Sequence, residues 1–134
     1  MKEIDSATHK GLLSDAPLYS EVLKHLPYYS ACVRETLRLI PPGPSIWPRY
    51  VSAPGLDLYG KLAPTGAEIA ANAWLVNRDR ELYGADADEF HPERWLDPER
   101  MKLYNKYNFT FGYGTRACLG QDLAMMELSK APLQ

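Results

Sequence analysis

Apolar residues recur at helical spacing most clearly in one segment of the chain. That segment begins at Pro27, which is tolerated in a first helical turn because its missing N–H would be unpaired there anyway. It stops before Pro41 and Pro42. We therefore predict a helix over residues 27–40 with one mostly apolar face. That face collects Tyr29, Cys32, Val33, Thr36, Leu37 and Ile40.

A second helical pattern lies near the end of the chain, and a weaker one lies near its beginning. We predict a helix over residues 119–131 that is buried on much of its surface and ends at Pro132. Its apolar positions are Leu119, Leu123, Met125, Met126 and Leu128. Residues 1–26 are mostly polar, and there we predict only the tail of preceding helices, with a helical turn over residues 20–26.

Between these helices, prolines exclude helix and favour short strands. Residues 41–66 carry six of the eleven prolines. We predict a small antiparallel sheet with a tight turn at Tyr59-Gly60-Lys61, followed by a short helix over residues 71–80. The predicted strands cover residues 46–51, 56–59, 61–63 and 67–71.

Residues 81–108 show neither the helical nor the strand period. We predict a mostly irregular connection, and so long a connection usually has a function or wraps a core. Phe90 and Trp95 are its expected apolar anchors. Its acidic residues match no calcium-loop spacing, so we interpret them as a solvated turn.

The composition is that of one globular domain. The chain has 134 residues, of which 46% are hydrophobic and 24% charged, and this argues against disorder throughout. The formal net charge of -2 argues against a nucleic-acid partner. No stretch reaches the length of a membrane-spanning helix, so we expect no membrane anchor in this chain. Two distant cysteines, Cys32 and Cys118, favour a reducing compartment over a disulfide framework.

The charged pair Glu35 and Arg38, on the first predicted helix, has two readings. Glu35 and Arg38 are three positions apart on a helix, and spacing alone favours an exposed ion pair of little energetic value. The alternative is a buried pair that recruits a third charged partner, for which Arg94 is a candidate. Arg49, in the first predicted strand, reads most simply as a solvated edge residue.

Residues 109–120 contain the strongest candidates for a binding site. Cys118 stands at the predicted start of the last helix, where unpaired N–H groups stabilise a thiolate. Gly112 and Gly114 let the backbone bend and run flat against a planar ligand, and Gly120 allows close approach on the helix side. The setting is therefore one in which a thiolate faces a flat cofactor.

The neighbours of this cysteine narrow the chemistry further. Arg116 places a permanent cation near the sulfur, suited to a carboxylate on a ligand, and Phe111 shields the sulfur from water. Structural zinc takes four protein ligands, whereas haem needs one axial ligand, and thiolate is a known choice. A reactive thiol at a helix start, as in many redox enzymes, remains the alternative.

Three motifs in order resemble those of one family. Residues 111–120 fit the cytochrome P-450 signature Phe-x-x-Gly-x-Arg-x-Cys-x-Gly at every defined position. Glu35-Thr36-Leu37-Arg38 resembles the Glu-x-x-Arg motif of that family's K helix. Residues 92–95 (Pro-Glu-Arg-Trp) resemble its downstream Pro-Glu-Arg motif.

The resemblance implies a fold that is mainly α with a small antiparallel β-sheet, in one partial domain over residues 1–134. Its parts follow the chain in the family's order: the tail of preceding helices (1–26), the K helix (27–40), the small sheet and a short helix (41–80), the irregular meander (81–108), the haem-ligand loop (109–120) and the start of the L helix (119–131).

The resemblance also implies residue roles. Cys118 would be the proximal thiolate ligand of the iron in haem b, and its electron donation favours O–O cleavage. Arg116 and Arg49 would pair with haem propionates, and Phe111 would pack beside the ligand loop together with its glycines. Glu35, Arg38 and Arg94 would form a buried triad that fixes the meander against the K helix. For Glu35 and Arg38 this replaces the exposed pair that spacing favours.

The implied activity is a haem-dependent monooxygenase that inserts one atom of O₂ into a small organic substrate. Electrons would come from an NADPH-dependent reductase or another electron donor, with Arg100, Lys102 and Lys106 as candidate contacts for a reductase. Family members in eukaryotes usually sit on the endoplasmic reticulum through an N-terminal anchor. The family's oxygen-activating I helix would precede these residues, so an inactive truncated fragment is the alternative. A module that binds no haem is the third reading.

Overall fold

The chain forms helices on either side of two small sheets. The structure, a computed structural model, describes residues 2–44 and 46–133. The helices are α1 (Lys2–His9), α2 (Tyr19–His25), α3 (Pro27–Leu39), α4 (Ala73–Val76), α5 (Arg80–Tyr83), α6 (Pro98–Tyr107) and α7 (Gln121–Lys130). The strands are β1 (Ile46–Tyr50), β2 (Leu56–Leu58), β3 (Lys61–Ala63) and β4 (Glu68–Asn72). Single helical turns occur at Pro92–Trp95, Gly114–Arg116 and Ala131–Leu133.

The first helix pattern gives α3 as predicted, with Pro27 in its first turn and an end just before the paired prolines. The predicted face is only partly right. Thr36 is exposed, and Ile40, just past the end of α3, is 67% exposed. The buried positions of α3 are Ala31, Glu35, Leu37, Arg38 and Leu39. The helix buries its charged side because that side packs on the Pro92–Trp95 turn, where the charges find partners.

The strands pair as two separate two-stranded sheets, whereas we predicted one. β1 runs antiparallel to β4, with Arg49 opposite Ile69, and β2 runs antiparallel to β3. The predicted hairpin turn is confirmed, since Tyr59 and Gly60 both have positive φ. The Asp57 side chain accepts a hydrogen bond of 2.9 Å from the Gly60 N–H within it. The fold class, mainly α with small antiparallel sheets, is confirmed.

Residues 71–80 divide among three elements and do not form the one short helix we predicted. Polar caps explain the division. Asn72 accepts from the Trp74 N–H at 2.8 Å and so begins α4 at the end of β4. Asp79 accepts from the Glu81 and Leu82 N–H groups, at 2.8 and 3.2 Å, and begins α5.

The prediction of an irregular segment over residues 81–108 was wrong for its second half, which forms α6. Asp97 caps this helix by accepting from the N–H groups of Glu99 and Arg100, and Pro98 occupies its first position. The two expected anchors differ. Trp95 is buried, whereas Phe90 is 55% exposed.

The last helix is less buried than we predicted. It begins at Gln121, and among the described residues of α7 only Ser129 is buried. Three of its predicted apolar positions, Leu123, Met126 and Leu128, are exposed, as is Leu119 before it. The physical reason is that α7 meets α2 and α3 along one narrow side, so its wide apolar face receives no cover from the described part of the chain.

Two clusters of buried residues hold these elements together. The larger consists of Ala31, Tyr83, Ala87, Trp95 and Tyr104. It joins α3, α5 and α6 through stacked aromatic rings, with the centroids of Tyr83 and Tyr104 separated by 4.8 Å. The smaller consists of Ala7, Val22 and Leu26. Among residues 2–44 and 46–133, no helix combines the length and apolar character needed to cross a bilayer.

Candidate functional site

The Cys118 loop folds back on its own beginning. The Cys118 N–H donates to the Phe111 carbonyl at 2.8 Å, and the Ala117 N–H donates to Gly114 at 3.1 Å to close a helical turn. Gly112 has φ +72° and Gly114 has φ +67°, which L side chains rarely adopt. Both glycines are thus required by the backbone of the loop.

The Cys118 thiol is exposed. It lies three residues before α7, and its carbonyl accepts a 3.4 Å hydrogen bond from the Gln121 N–H. A Cβ at Gly120 would lie 3.8 Å from the Cys118 sulfur, an ordinary contact, so the described residues alone do not require a glycine there. The sulfur is therefore open to an external ligand.

The expected propionate partners lie on two different elements. Arg49 is exposed on β1, where its guanidinium donates to the Pro48 carbonyl at 2.8 Å, and Arg116 is exposed in the Gly114–Arg116 turn. Within residues 2–44 and 46–133, neither arginine forms an ion pair with a carboxylate. Both cations are therefore available to an anionic ligand.

A hollow of about 300 Å³ joins Arg49 to the beginning of the loop. Its walls include Trp47, Ile69, Phe109 and Tyr113. Cys118 and Arg116 do not line this hollow, so the structure brings Arg49 to the first half of the loop only. An apolar hollow with a cation at its edge fits an apolar part of a ligand that carries a carboxylate.

A second hollow, of about 420 Å³, lies on the inner side of the loop between α3, α6 and α7. Phe111, Gly112 and Gly114 line it together with Arg34 and Trp95. The sulfur of Cys118 does not belong to its lining, so the thiol opens onto a different surface. Phe111 is half-buried here and supports the loop from within.

The triad of charges is assembled behind the loop. The Glu35 carboxylate accepts from Arg38 Nε and Nη2, each at 2.8 Å, and from Arg94 Nε at 3.0 Å. It also accepts from Trp95 Nε1 at 2.9 Å and the His91 N–H at 3.0 Å. All three charged residues of the triad are buried. Five hydrogen bonds to one carboxylate offset the cost of removing its charge from water.

The two arginines use their remaining N–H groups mainly on backbone carbonyls, and Arg94 Nη2 also donates to the Asp86 carboxylate at 3.0 Å. Arg38 donates to three carbonyls at 2.6 to 3.1 Å, and Arg94 donates to two at 2.8 and 3.2 Å. The acceptors are Asn77, Ala87 and Glu89 for the first, and Tyr83 and Asp86 for the second. The triad therefore holds segment 77–91, which includes the short helix α5 and the turns after it, against α3.

The pKa values of Glu35 and Arg94 are both shifted in the fold. Burial raises the pKa of Glu35, but hydrogen bonds from Arg38, the His91 N–H and Trp95 outweigh it, and the pKa falls below its ordinary value. Burial lowers the pKa of Arg94, but the Glu35 carboxylate outweighs burial and raises it. Hydrogen-bond donors therefore keep Glu35 charged inside the protein, and Glu35 in turn keeps Arg94 charged.

Two polar residues in the site, the buried Asn77 and the half-buried Thr110, escaped sequence analysis. Asn77 donates to Thr110 Oγ1 at 3.0 Å and accepts from the Phe109 N–H at 2.8 Å. Thr110 in turn donates to the Leu37 carbonyl at 3.0 Å. Thr110 stands between two phenylalanines and Asn77 begins a polar run, and both settings are too common to indicate a role.

The candidate reductase contacts lie together on α6. Arg100, Lys102 and Lys106 are all exposed. Arg100 forms a long ion pair with Asp97 at 3.9 Å, and the Lys106 ammonium lies 4.9 Å from the centre of the Tyr107 ring. The helix that sequence analysis missed therefore carries all three of these cations.

Comparison with known proteins identifies the family. The family model described as cytochrome P-450 matches residues 1–131. The chain is 40% identical over 131 residues to quiannulatic acid synthase of Emericella variicolor, covering 95% of this chain and 26% of that protein. It is 41% identical over 129 residues to cytochrome P-450 monooxygenase gsfF of Penicillium aethiopicum, covering 96% of this chain and 25% of that protein.

A third relative is cytochrome P-450 monooxygenase ACRTS1 of Alternaria alternata, which is 40% identical over 131 residues, covering 97% of this chain and 35% of that protein. The chain thus spans between 25% and 35% of the length of these relatives. The family match extends over nearly every residue and includes the Cys118 loop, the charged triad and the segment that joins them. The chain belongs to the cytochrome P-450 family.

Proposed function

We propose that this chain forms the haem-ligand part of a haem-dependent monooxygenase, with Cys118 as the proximal thiolate ligand of the iron in haem b. The observation that carries the proposal is the exposed Cys118 thiol, held in a loop whose backbone two positive-φ glycines shape. The family match and the monooxygenase names of two relatives support the reaction class.

The residues of this chain would hold the cofactor and would not act on the substrate themselves. Arg49 and Arg116 are exposed cations without a carboxylate partner in the described part of the chain, which suits them to the two haem propionates. The hollow beside Arg49 would take an apolar edge of the macrocycle. When bound, the haem supplies oxygen activation, and its thiolate ligand favours O–O cleavage.

We further propose that the substrate is a small organic molecule and that electrons come from an NADPH-dependent reductase. Lys102 and Lys106, four positions apart, form an exposed cationic side of α6, and Arg100 adds an exposed cation on another side of the helix. Such a surface attracts an acidic partner and speeds its association, most strongly at low salt. The reductase would therefore dock near the surface of α6.

The test of the ligand is spectroscopic. The protein is expressed at its natural length with haem, reduced, exposed to carbon monoxide and compared with its Cys118→Ser and Cys32→Ser variants. We expect a thiolate-type Soret band in the parent and in Cys32→Ser, because Cys32 is a half-buried thiol on α3. We expect the band to disappear in Cys118→Ser.

Two results would contradict the proposal. Retention of the thiolate-type band in Cys118→Ser would place the ligand elsewhere, and failure of the parent protein to take up haem would remove the cofactor altogether. In the second case, rapid alkylation of Cys118 by iodoacetamide, compared with Cys32, would favour the reactive-thiol alternative.

A further inference from the structure

Asn77 is a fully buried side chain at the point where three parts of the site meet. It ends α4, and its N–H donates to the Ala73 carbonyl at 3.0 Å. Its side-chain oxygen accepts from the Phe109 N–H at 2.8 Å, and its side-chain nitrogen donates to Thr110 Oγ1 at 3.0 Å. One amide therefore holds the first two residues of the Cys118 loop.

The other side of Asn77 is tied to α3. Arg38 Nη1 donates to the Asn77 carbonyl at 2.7 Å, and Thr110 Oγ1 donates to the Leu37 carbonyl at 3.0 Å. Leu37 and Arg38 are adjacent on α3, next to the charged triad. Two hydrogen-bonded routes thus fix the start of the loop to α3. One runs from Arg38 through Asn77 to Phe109 and Thr110, and the other runs from Leu37 directly to the Thr110 hydroxyl.

The hydrogen-bond directions require an amide at this position. A backbone N–H can only donate, so the group facing Phe109 must be an acceptor. The Thr110 hydroxyl donates to Leu37, so the group facing its oxygen must be a donor. Asparagine offers both at this size, whereas an ionised aspartate offers acceptors only and would add a buried charge.

We propose that Asn77 is a positioning residue for the Cys118 ligand. It holds Phe109 and Thr110 in register with α3, and the next residue, Phe111, accepts the Cys118 N–H at 2.8 Å. A short hydrogen-bonded path therefore runs from the buried triad through Asn77 to the backbone of the cysteine. The inference rests on the proposed function, because it concerns the direction in which the sulfur is presented to iron.

The test compares two isosteric changes in the path with a matched change outside it. Asn77→Asp keeps the shape and the acceptor but loses the donor, and Thr110→Val removes the hydroxyl that both routes use. Asn72→Ala is the control, because the Asn72 side chain caps the same helix, α4, and its hydrogen bond goes to the Trp74 N–H within that helix. The full-length haem-loaded proteins are compared at equal haem content.

Two quantities are measured on each protein: the fraction of reduced carbon-monoxide complex with a thiolate-type Soret band, and the urea midpoint of unfolding. We expect Asn77→Asp and Thr110→Val to lower the thiolate-type fraction several-fold in folded protein. We expect Asn72→Ala to lower the urea midpoint while its thiolate-type fraction stays at the parent value.

The outcomes separate the inference from the proposed function. If the parent shows the thiolate-type band and both path variants keep it, Asn77 does not position the ligand. If the loss of the band follows the urea midpoint in all three variants, including Asn72→Ala, the role of Asn77 is merely structural and the inference is overturned. If the parent lacks the band, or Cys118→Ser keeps it, the proposed function fails first.

Discussion

Gly112 shows how much of the ligand loop depends on one backbone angle. Its φ is +72°, and a Cβ built there would lie 3.5 Å from the Arg116 carbonyl, which is an ordinary contact. The cost of a side chain therefore comes from the left-handed conformation and not from lack of space. We expect Gly112→Ala to lower the free energy of unfolding by about 1 kcal/mol, measured by urea titration.

A second substitution at the same position separates these causes. Gly112→Asn should cost less than Gly112→Ala, because asparagine tolerates positive φ better than other side chains. Gly112 also lines the 420 Å³ hollow, which has room for the larger side chain. If the asparagine variant is the less stable of the two, the limit at Gly112 is space, and the argument from φ is wrong.

At the same scale, the sequence could not decide between an exposed and a buried Glu35–Arg38 pair. Three-residue spacing brings two side chains together on a helix but does not say what covers them. The cover comes from Arg94 and Trp95, which lie 59 and 60 positions beyond Glu35. Residue chemistry offered Arg94 only as a candidate, the family resemblance made it the expected partner, and neither indicated that Trp95 bonds to Glu35.

At the scale of elements, α6 was the main error, although part of its signal was present. Asp97-Pro98 is a cap followed by a first-turn proline, the pattern that begins a helix. The apolar pattern after it is weak, because Met101 and Tyr104 are its inward residues and polar side chains surround them. A start signal without a strong apolar face was insufficient for the prediction.

The cap of α6 can be tested directly. Asp97 accepts from two N–H groups, at 2.9 and 3.2 Å, so we expect Asp97→Ala to lower the free energy of unfolding by about 1 kcal/mol in urea titrations. Asp97→Asn should remain near the parent, since asparagine caps as well as aspartate does. An equal loss in both variants would show that the carboxylate charge, and not the cap, is what matters.

The apolar faces of α3 and α7 show that periodicity predicts a helix but not which of its faces is buried. Their spacing correctly indicated helices, but Ile40 and Leu123 are exposed while Glu35 and Arg38 are buried. Periodicity locates a helix because it depends on residues that are near in sequence. Which face is buried depends on the elements that pack against it, and α3 packs on a turn more than 50 residues later.

At the scale of the whole molecule, buried ionisable groups make stability depend on pH at both ends of the range. The pKa of Glu35 is lower in the folded protein than in the unfolded chain, where it is about 4.3. The ionised Glu35 therefore contributes fully to the free energy of unfolding above this pH, and the contribution is lost as the pH falls through the pKa of the folded state. Burial raises the pKa of Tyr83 above its unfolded-state value of about 10. The contribution of the neutral Tyr83 to the free energy of unfolding is therefore complete below that pH and is lost as the pH rises further.

We therefore expect the free energy of unfolding, measured by urea titration across pH, to be greatest between these ranges. Glu35→Gln should reduce the slope of the acid limb. It should also cost about 3 kcal/mol at neutral pH, because Arg38 and Arg94 remain buried without the carboxylate. The lowered pKa values of Asp86 and Glu93 should leave part of that limb in place.

Tyr83→Phe should act on the alkaline limb without weakening the fold at neutral pH. The Tyr83 hydroxyl is buried and has no hydrogen-bond partner among the described residues, so its removal should raise the free energy of unfolding by about 1 kcal/mol. The ring would keep its contacts with Arg38 and Tyr104. Tyr59→Phe is the matched control, because Tyr59 is fully exposed and its change should leave the curve unaltered. A Tyr83→Phe protein that kept the parent's alkaline slope would show that other buried groups set that limb.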